Sequence, residues 1–108
     1  GIDIGTSSTK VVAMDDEGIV HGLGRSSYNT SSPRAGFVEQ DPKIWIEAVR
    51  ESVGDVRSQL RESNRVRATG MTGQMHGLVM LDARFQPLAP AILWPDTRSA
   101  QEVWASRA

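Results

Sequence analysis

Gly1-Ile2-Asp3-Ile4-Gly5-Thr6-Ser7-Ser8-Thr9-Lys10 decides the fold, because an apolar run passes through a hydroxyl-lined bend into a second apolar run, Lys10-Val11-Val12-Ala13-Met14. Ile2 and Ile4 flank Asp3 at period two, which predicts a strand with Asp3 on the face away from the isoleucines. Gly5 lets the backbone bend where a Cβ would obstruct it. Thr6, Ser7, Ser8 and Thr9 then offer hydroxyls and closely spaced backbone N–H groups, the kind of concavity that holds phosphate oxygens. A carboxylate beside such a nest repels phosphate, and a hydrated magnesium ion between them reverses the sign, with Asp3 binding the metal's water shell. An ordinary hairpin turn uses the same residue types and stays open as the alternative. The stretch fits neither the P-loop, which needs Gly-Lys-Ser/Thr before a helix, nor the three-glycine dinucleotide fingerprint.

At 108 residues the chain is long enough for one modest domain with a core. A net charge of −1, with no basic run, argues against a nucleic-acid partner. The absence of cysteine excludes disulfide frameworks, thiol nucleophiles and thiolate metal sites, and fits a reducing compartment. No apolar run approaches membrane-spanning length and no charged-then-apolar leader precedes Gly1, so a cytoplasmic location and no membrane partner are expected. The chain opens inside a strand and stops in a predicted helix, Ser99 to Ala108, without a stop signal, so an incomplete domain is expected.

Outward from the opening strand pair, Asp15-Asp16-Glu17-Gly18 is a polar turn and Ile19 to Leu23 resumes a strand, giving three antiparallel strands. Ser26 to Gln40 has no period of either kind and is expected to be a surface loop that Phe37 pins down. Asp41-Pro42 starts a helix, since the carboxylate caps free N–H groups and proline has none to offer. Ile44, Trp45, Ala48, Val49, Val53, Val56 and Leu60 recur near helical spacing opposite Lys43, Glu47, Arg50, Glu51, Arg57, Arg61 and Glu62, so one face lies on the sheet. Core packing is expected of Trp45 rather than ligand stacking. Gly54 costs up to about 1 kcal/mol there and marks a weak point or a close contact. A strand over Val66–Met71, restarting at Arg65, then returns parallel to a neighbour, because a helix between strands implies a crossover.

The second constellation is Thr72-Gly73-Gln74-Met75-His76-Gly77, followed by the apolar run Leu78-Val79-Met80-Leu81, a strand that Asp82 closes. Glycines on both sides of Gln-Met-His allow a sharp turn and the close approach of a small ligand. Gln74 donates and accepts hydrogen bonds, His76 does either, and Met75 offers an adaptable apolar wall, which together suit a polyhydroxylated substrate. The alternative for His76 is a surface or hydrogen-bonded structural histidine. No zinc spacing accompanies it, since His21 is the only other histidine and lies on a different strand.

The opening hairpin resembles the first phosphate motif of the actin-like ATPase superfamily. Together with Glu39-Gln40-Asp41-Pro42, Gly73-Gln74-Met75-His76-Gly77, and Ala91-Ile92-Leu93-Trp94 with Asp96 and Arg98, it resembles the xylulokinases among the FGGY carbohydrate kinases, in order and spacing over nearly all of the chain. The resemblance implies an α/β fold, an actin-like or ribonuclease H-like lobe whose mixed sheet has three antiparallel strands plus parallel strands, with packed helices. Residues 1–108 would form the N-terminal part of the first lobe, with the second lobe absent. It implies ATP and Mg2+ as cofactors, D-xylulose as substrate and D-xylulose 5-phosphate as product. Carried over by position, Met75, His76 and Gln74 would touch the sugar, with Trp94, Asp96 and Arg98 bordering or bracing its pocket. Gly5, Thr6, Ser7, Ser8 and Lys10 would lie near the ATP phosphates, and Asp3 would organise magnesium through water. For the last three sugar-side residues an ordinary strand end with an Asp helix cap and a surface arginine is the alternative, and Pro95 leaves the direction of Asp96 open.

The carboxylate base of the resembling family, its second phosphate motif and its adenosine pocket fall in later segments. Phosphoryl transfer needs charge stabilisation from both sides of the reacting oxygens, so this chain alone is expected to be inactive. The implied partners are the sugar and the remainder of the kinase chain, and a homodimeric parent is compatible with it. A related kinase for another ketose or polyol, or a non-catalytic nucleotide-binding module, is the competing expectation.

Overall fold

The computed structural model describes residues 1–61 and 66–106. The chain divides into two compact units, Gly1–Tyr28 with Lys43–Gln74, and Asn29–Pro42 with Met75–Ala108.

The first unit is a four-stranded mixed sheet with one long helix. Strands β1 (Ile2–Ile4), β2 (Ser8–Met14) and β3 (Val20–Ser27) form an antiparallel meander, and β5 (Met71–Gly73) pairs parallel to β1, giving the order β3-β2-β1-β5. The meander and the parallel return follow the sequence expectation, with one parallel strand rather than several among the described residues. At the β2–β3 turn the Asp15 carboxylate accepts hydrogen bonds from the N–H groups of Glu17 and Ile19, and Gly18 takes a positive φ of 83°. The same carboxylate lies 2.8 Å from His21 Nε2, and hydrogen bonding to His21 holds it below the usual carboxylate range.

Helix α1 (Pro42–Gln59) covers one face of this sheet. The register aligns Val11 with Gly24 and Ala13 with Gly22, and a Cβ on Gly24 would collide with the Ser52 carbonyl. Small residues on both surfaces let helix and sheet come close, so the buried line is Ala48, Ser52 and Val56, four residues apart. Apolar periodicity finds Ala48 and Val56 but not Ser52, which is 0% exposed, while Val53, expected in the stripe, is 40% exposed. The helix ends at Gln59, before Leu60 and Arg61, and Glu62 lies outside the described residues. Gly54 faces open space and marks no close contact.

Strand β5 forms later than the expected Val66–Met71 because pairing needs a partner, and β1 offers only Ile2–Ile4. Val66 is exposed, and Arg65 lies outside the described residues. Strand β3 runs on past Leu23 because Arg25, Ser26 and Ser27 find partners in Lys10, Thr9 and Ser8.

The second unit is built on a two-stranded antiparallel ladder, β4 (Glu39–Gln40) with β6 (Ala91–Ile92), around buried Gln40, Ala91 and Leu93. Leu78–Leu81 makes isolated bridges, Leu78 to Ile92 and Leu81 to Pro87, in place of the expected strand. Pro87 has no N–H with which to continue a ladder. Helix α2 spans Ala100–Ala105 rather than Ser99 to Ala108, and residues 107–108 lie outside the described residues.

Candidate functional site

In the first unit the bend between β1 and β2 is three residues long, Gly5, Thr6 and Ser7. The Gly5 N–H donates to the Ser8 carbonyl at 3.0 Å, and a Cβ on Gly5 would sit 3.1 Å from that oxygen, so the tight turn favours glycine. Ser8 and Thr9, expected to present hydroxyls in the turn, are instead buried residues of β2. Alternation explains Thr9, which is aligned with Ile4 and shares the face that packs on α1. A residue the sequence reading missed completes the turn. The Tyr28 hydroxyl donates to the Gly5 carbonyl at 2.7 Å and lies 3.3 Å from Thr9 Oγ1, while the Tyr28 N–H donates to the Ser7 carbonyl at 3.0 Å.

On the opposite face of the sheet, the register sets Thr72, Asp3, Lys10 and Arg25 in one cross-strand row. Asp3 is thus directly opposite Lys10 in the ladder. A cavity of about 780 Å³ opens on this face, bordered by these four residues with Val12 and Leu23. Among the described residues Asp3 is its only carboxylate, and no group of three His, Cys, Asp or Glu is set to hold a metal ion. A lone carboxylate suits Mg2+, which keeps several waters and takes other ligands from phosphate.

Gln74 continues the β1–β5 ladder, its N–H donating to the Ile4 carbonyl at 2.8 Å. That pairing favours glycine at Gly73, since a Cβ would lie 3.3 Å from the Ile4 carbonyl oxygen.

In the second unit Met75 is 71% exposed and His76 holds a φ of 61°. The left-handed residue is therefore the histidine itself, not either flanking glycine, and a Cβ on Gly77 would make only ordinary contact. Histidine is among the side chains that tolerate this region, and the conformation fixes the turn at Met75-His76.

Trp94 is 61% exposed, and it precedes a closed polar brace. Asp96 Oδ1 accepts from Arg98 N and Nε, both at 2.9 Å, and Oδ2 accepts from Arg98 Nη2 and the Val38 N–H, both at 2.7 Å. Arg98 Nη2 also donates to Glu39 at 2.7 Å, and its guanidinium lies 3.9 Å from the centroid of the Phe37 ring. Hydrogen bonds from Arg98 hold the Asp96 carboxyl well below the usual range, and those to Asp96 and Glu39 hold the guanidinium above its own. The direction of Asp96 is thereby settled: it ties the Trp94–Arg98 turn to β4. Phe37 pins the loop as expected, but through a cation, the Arg98 guanidinium, which also donates to Glu39, 59 residues away in sequence.

The chain matches the model of the FGGY family of carbohydrate kinases, N-terminal domain, over residues 1–107. It is 45% identical over 103 residues to the xylulose kinase of Staphylococcus xylosus, covering 95% of this chain and 21% of that protein. The crystal structure of a xyloylose kinase from Brucella ovis superposes with a TM-score of 0.90 at 38% identity, over 99% of this chain and 23% of that one. A gluconate kinase from Lactobacillus acidophilus superposes with a TM-score of 0.91 at 28% identity, over 99% of this chain and 21% of the other. The chain thus spans well under a third of the length of each relative. Among the described residues no helix is long and apolar enough to cross a membrane.

Proposed function

Because the chain belongs to the FGGY family of carbohydrate kinases, we propose that it is the N-terminal part of an ATP-dependent sugar kinase whose substrate is D-xylulose and whose product is D-xylulose 5-phosphate. The observation that carries the reading is the alignment of Asp3 with Lys10 beside the tied Gly5–Ser7 turn. It supplies a carboxylate, a cation and a backbone concavity within one hairpin, the parts that positioning of a polyphosphate needs.

In this reading Gly5, its N–H held by the Ser8 carbonyl, shapes the bend, the N–H groups and hydroxyls of Thr6 and Ser7 orient the ATP phosphates, and Lys10 balances their charge. Asp3 holds the water shell of Mg2+, which when bound neutralises charge on the transferring phosphoryl group. Ser8 contributes through the backbone, since its side chain is buried. Met75 and His76, presented on a left-handed turn, contact the sugar, with Gln74 fixing the start of that turn. Asp96 and Arg98 brace Trp94 from behind rather than touch substrate, because each is already engaged by the other and by Val38 or Glu39. The sugar hydroxyl oxygen attacks the γ-phosphorus, the bond to the β-phosphate oxygen breaks, ADP leaves, and the hydroxyl proton passes to a base outside residues 1–108.

Similarity to xylulose kinases at up to 45% identity favours D-xylulose, and the gluconate kinase likeness at 28% makes a different polyol or sugar acid the second reading. The test is ADP release by the full-length protein with D-xylulose, gluconate and glycerol at equal concentration. D-xylulose is expected to give the highest kcat/KM, and Asp3→Asn to lower kcat with it by about a hundredfold or more. A higher kcat/KM with gluconate moves the assignment to the second reading. No ADP release with any sugar leaves a non-catalytic nucleotide-binding module.

A further inference from the structure

We infer that Tyr28 is a positioning residue for the nucleotide's phosphates, acting through the Gly5–Ser7 turn; this rests on the kinase reading above. Two carbonyls of that turn, Gly5 and Ser7, accept hydrogen bonds from the same residue, one from the Tyr28 hydroxyl at 2.7 Å and one from its N–H at 3.0 Å. The hydroxyl has a single proton, and it goes to Gly5. Thr9 Oγ1, 3.3 Å away and fully buried on the helix-covered face, is then the donor to the tyrosine oxygen. The relay runs from Thr9 through Tyr28 to the Gly5 carbonyl.

The sign of the charges gives the relay its purpose. Carbonyl oxygens carry partial negative charge, and a turn whose carbonyls swing toward a bound polyphosphate repels it. Binding both oxygens to Tyr28 keeps the Gly5 and Ser7 carbonyls turned away from an anion at the bend. A tyrosine is suited to the task because its ring is rigid and its hydroxyl sits at the far end. It reaches back across 23 residues of sequence to a turn that has no bulky side chain of its own.

The experiment compares wild type with Tyr28→Phe in the full-length kinase, since phenylalanine keeps the ring and removes only the hydroxyl. KM is measured for ATP and for the sugar, ATP affinity is measured at equilibrium without sugar, and amide hydrogen exchange is followed over residues 5–9. We expect the KM and equilibrium constant for ATP to weaken about tenfold, the loss of one hydrogen bond to a positioned group. The sugar KM should stay within about twofold, and exchange at Gly5 and Ser7 should quicken. Unchanged ATP affinity, or ATP and sugar KM rising together, overturns the proposal and leaves Tyr28 as a core residue. A wild-type protein that binds no ATP refutes the kinase reading itself, and this one with it, whereas an active wild type whose Tyr28→Phe variant matches it refutes only the role of Tyr28.

Discussion

The Arg98 guanidinium closes on the Asp96 carboxylate in a two-pronged pair, Nε to Oδ1 at 2.9 Å and Nη2 to Oδ2 at 2.7 Å. The carboxylate side chain is only 3% exposed, so the pair is sheltered from water on the Asp96 side. Asp96 is held below its ordinary pKa in the folded protein, so below that ordinary value the unfolded chain binds the extra proton. Its contribution is fully present above the unfolded carboxylate value near 4 and is lost as pH falls through the folded value. Urea midpoints of wild type and Asp96→Asn, measured from pH 7 to pH 2.5, should differ by a constant amount down to about pH 5 and converge below pH 4. Parallel profiles would mean that the pair carries no proton linkage. Arg98→Lys should lose most of the wild-type advantage at pH 7, because lysine cannot make the two-pronged contact.

Helix α1 meets the sheet at Gly24, where a Cβ would strike the Ser52 carbonyl. A methyl group there must displace backbone, so Gly24→Ala should destabilise by about 1–3 kcal/mol in a denaturant titration. Gly54 on the same helix is the control, because nothing lies near its Cβ position. Gly54→Ala should stabilise by roughly 0.5–1 kcal/mol through helix propensity alone. Equal responses at the two glycines would contradict the close helix approach.

These contrasts separate what is legible in the sequence from what is not. Period-two isoleucines around Asp3 and the Asp41-Pro42 start are local signals, and the hairpin, the helix and the parallel return followed from them. The bend after Ile4 was legible for the same reason, although Ser8 and Thr9, read as part of it, belong to β2. Ser52 was not, because a buried serine breaks the apolar pattern and is explained only by Gly24 facing it. Nor was Tyr28, whose partners Gly5 and Thr9 lie 23 and 19 residues away. The Asp96–Arg98–Glu39–Phe37 brace joins two segments that composition describes as loop and strand end. Their tertiary pairing, the β4–β6 ladder with the Leu93 N–H to the Val38 carbonyl and the Thr97 N–H to the Gly36 carbonyl, brings them together.

Phe85 holds a φ of 59° at the tip of a turn in which the Asp82 carboxylate accepts from the N–H groups of Arg84 and Gln86, and it is 80% exposed. A bulky residue in the left-handed region costs about 1–2 kcal/mol relative to glycine, and this side chain recovers little of that by burial. Phe85→Gly should therefore raise the denaturation midpoint, by about 0.5–1 kcal/mol after the unfolded-state entropy of glycine is set against it. Phe85→Asn should fall between the two. A loss of stability in Phe85→Gly would show that the ring packs in the full-length protein.

Variants at Met75 and His76 test the proposed sugar contact separately from folding. Met75 is 71% exposed, so Met75→Ala removes little buried surface and should leave the denaturation midpoint within about 0.5 kcal/mol of wild type. If the side chain forms the apolar wall of a sugar site, the same change should raise the KM for the sugar about five- to tenfold, the value of one lost hydrophobic contact, with KM for ATP unaltered. His76→Ala tests the polar half of the contact. Its left-handed backbone costs alanine slightly more than histidine, so a small stability loss accompanies it. A buried hydrogen bond to a sugar hydroxyl should still make its effect on sugar kcat/KM the larger of the two, at roughly tenfold or more. Steady-state kinetics with each substrate varied in turn reads both. Should ATP and sugar constants move together in either variant, the turn serves the fold of its unit and not the acceptor.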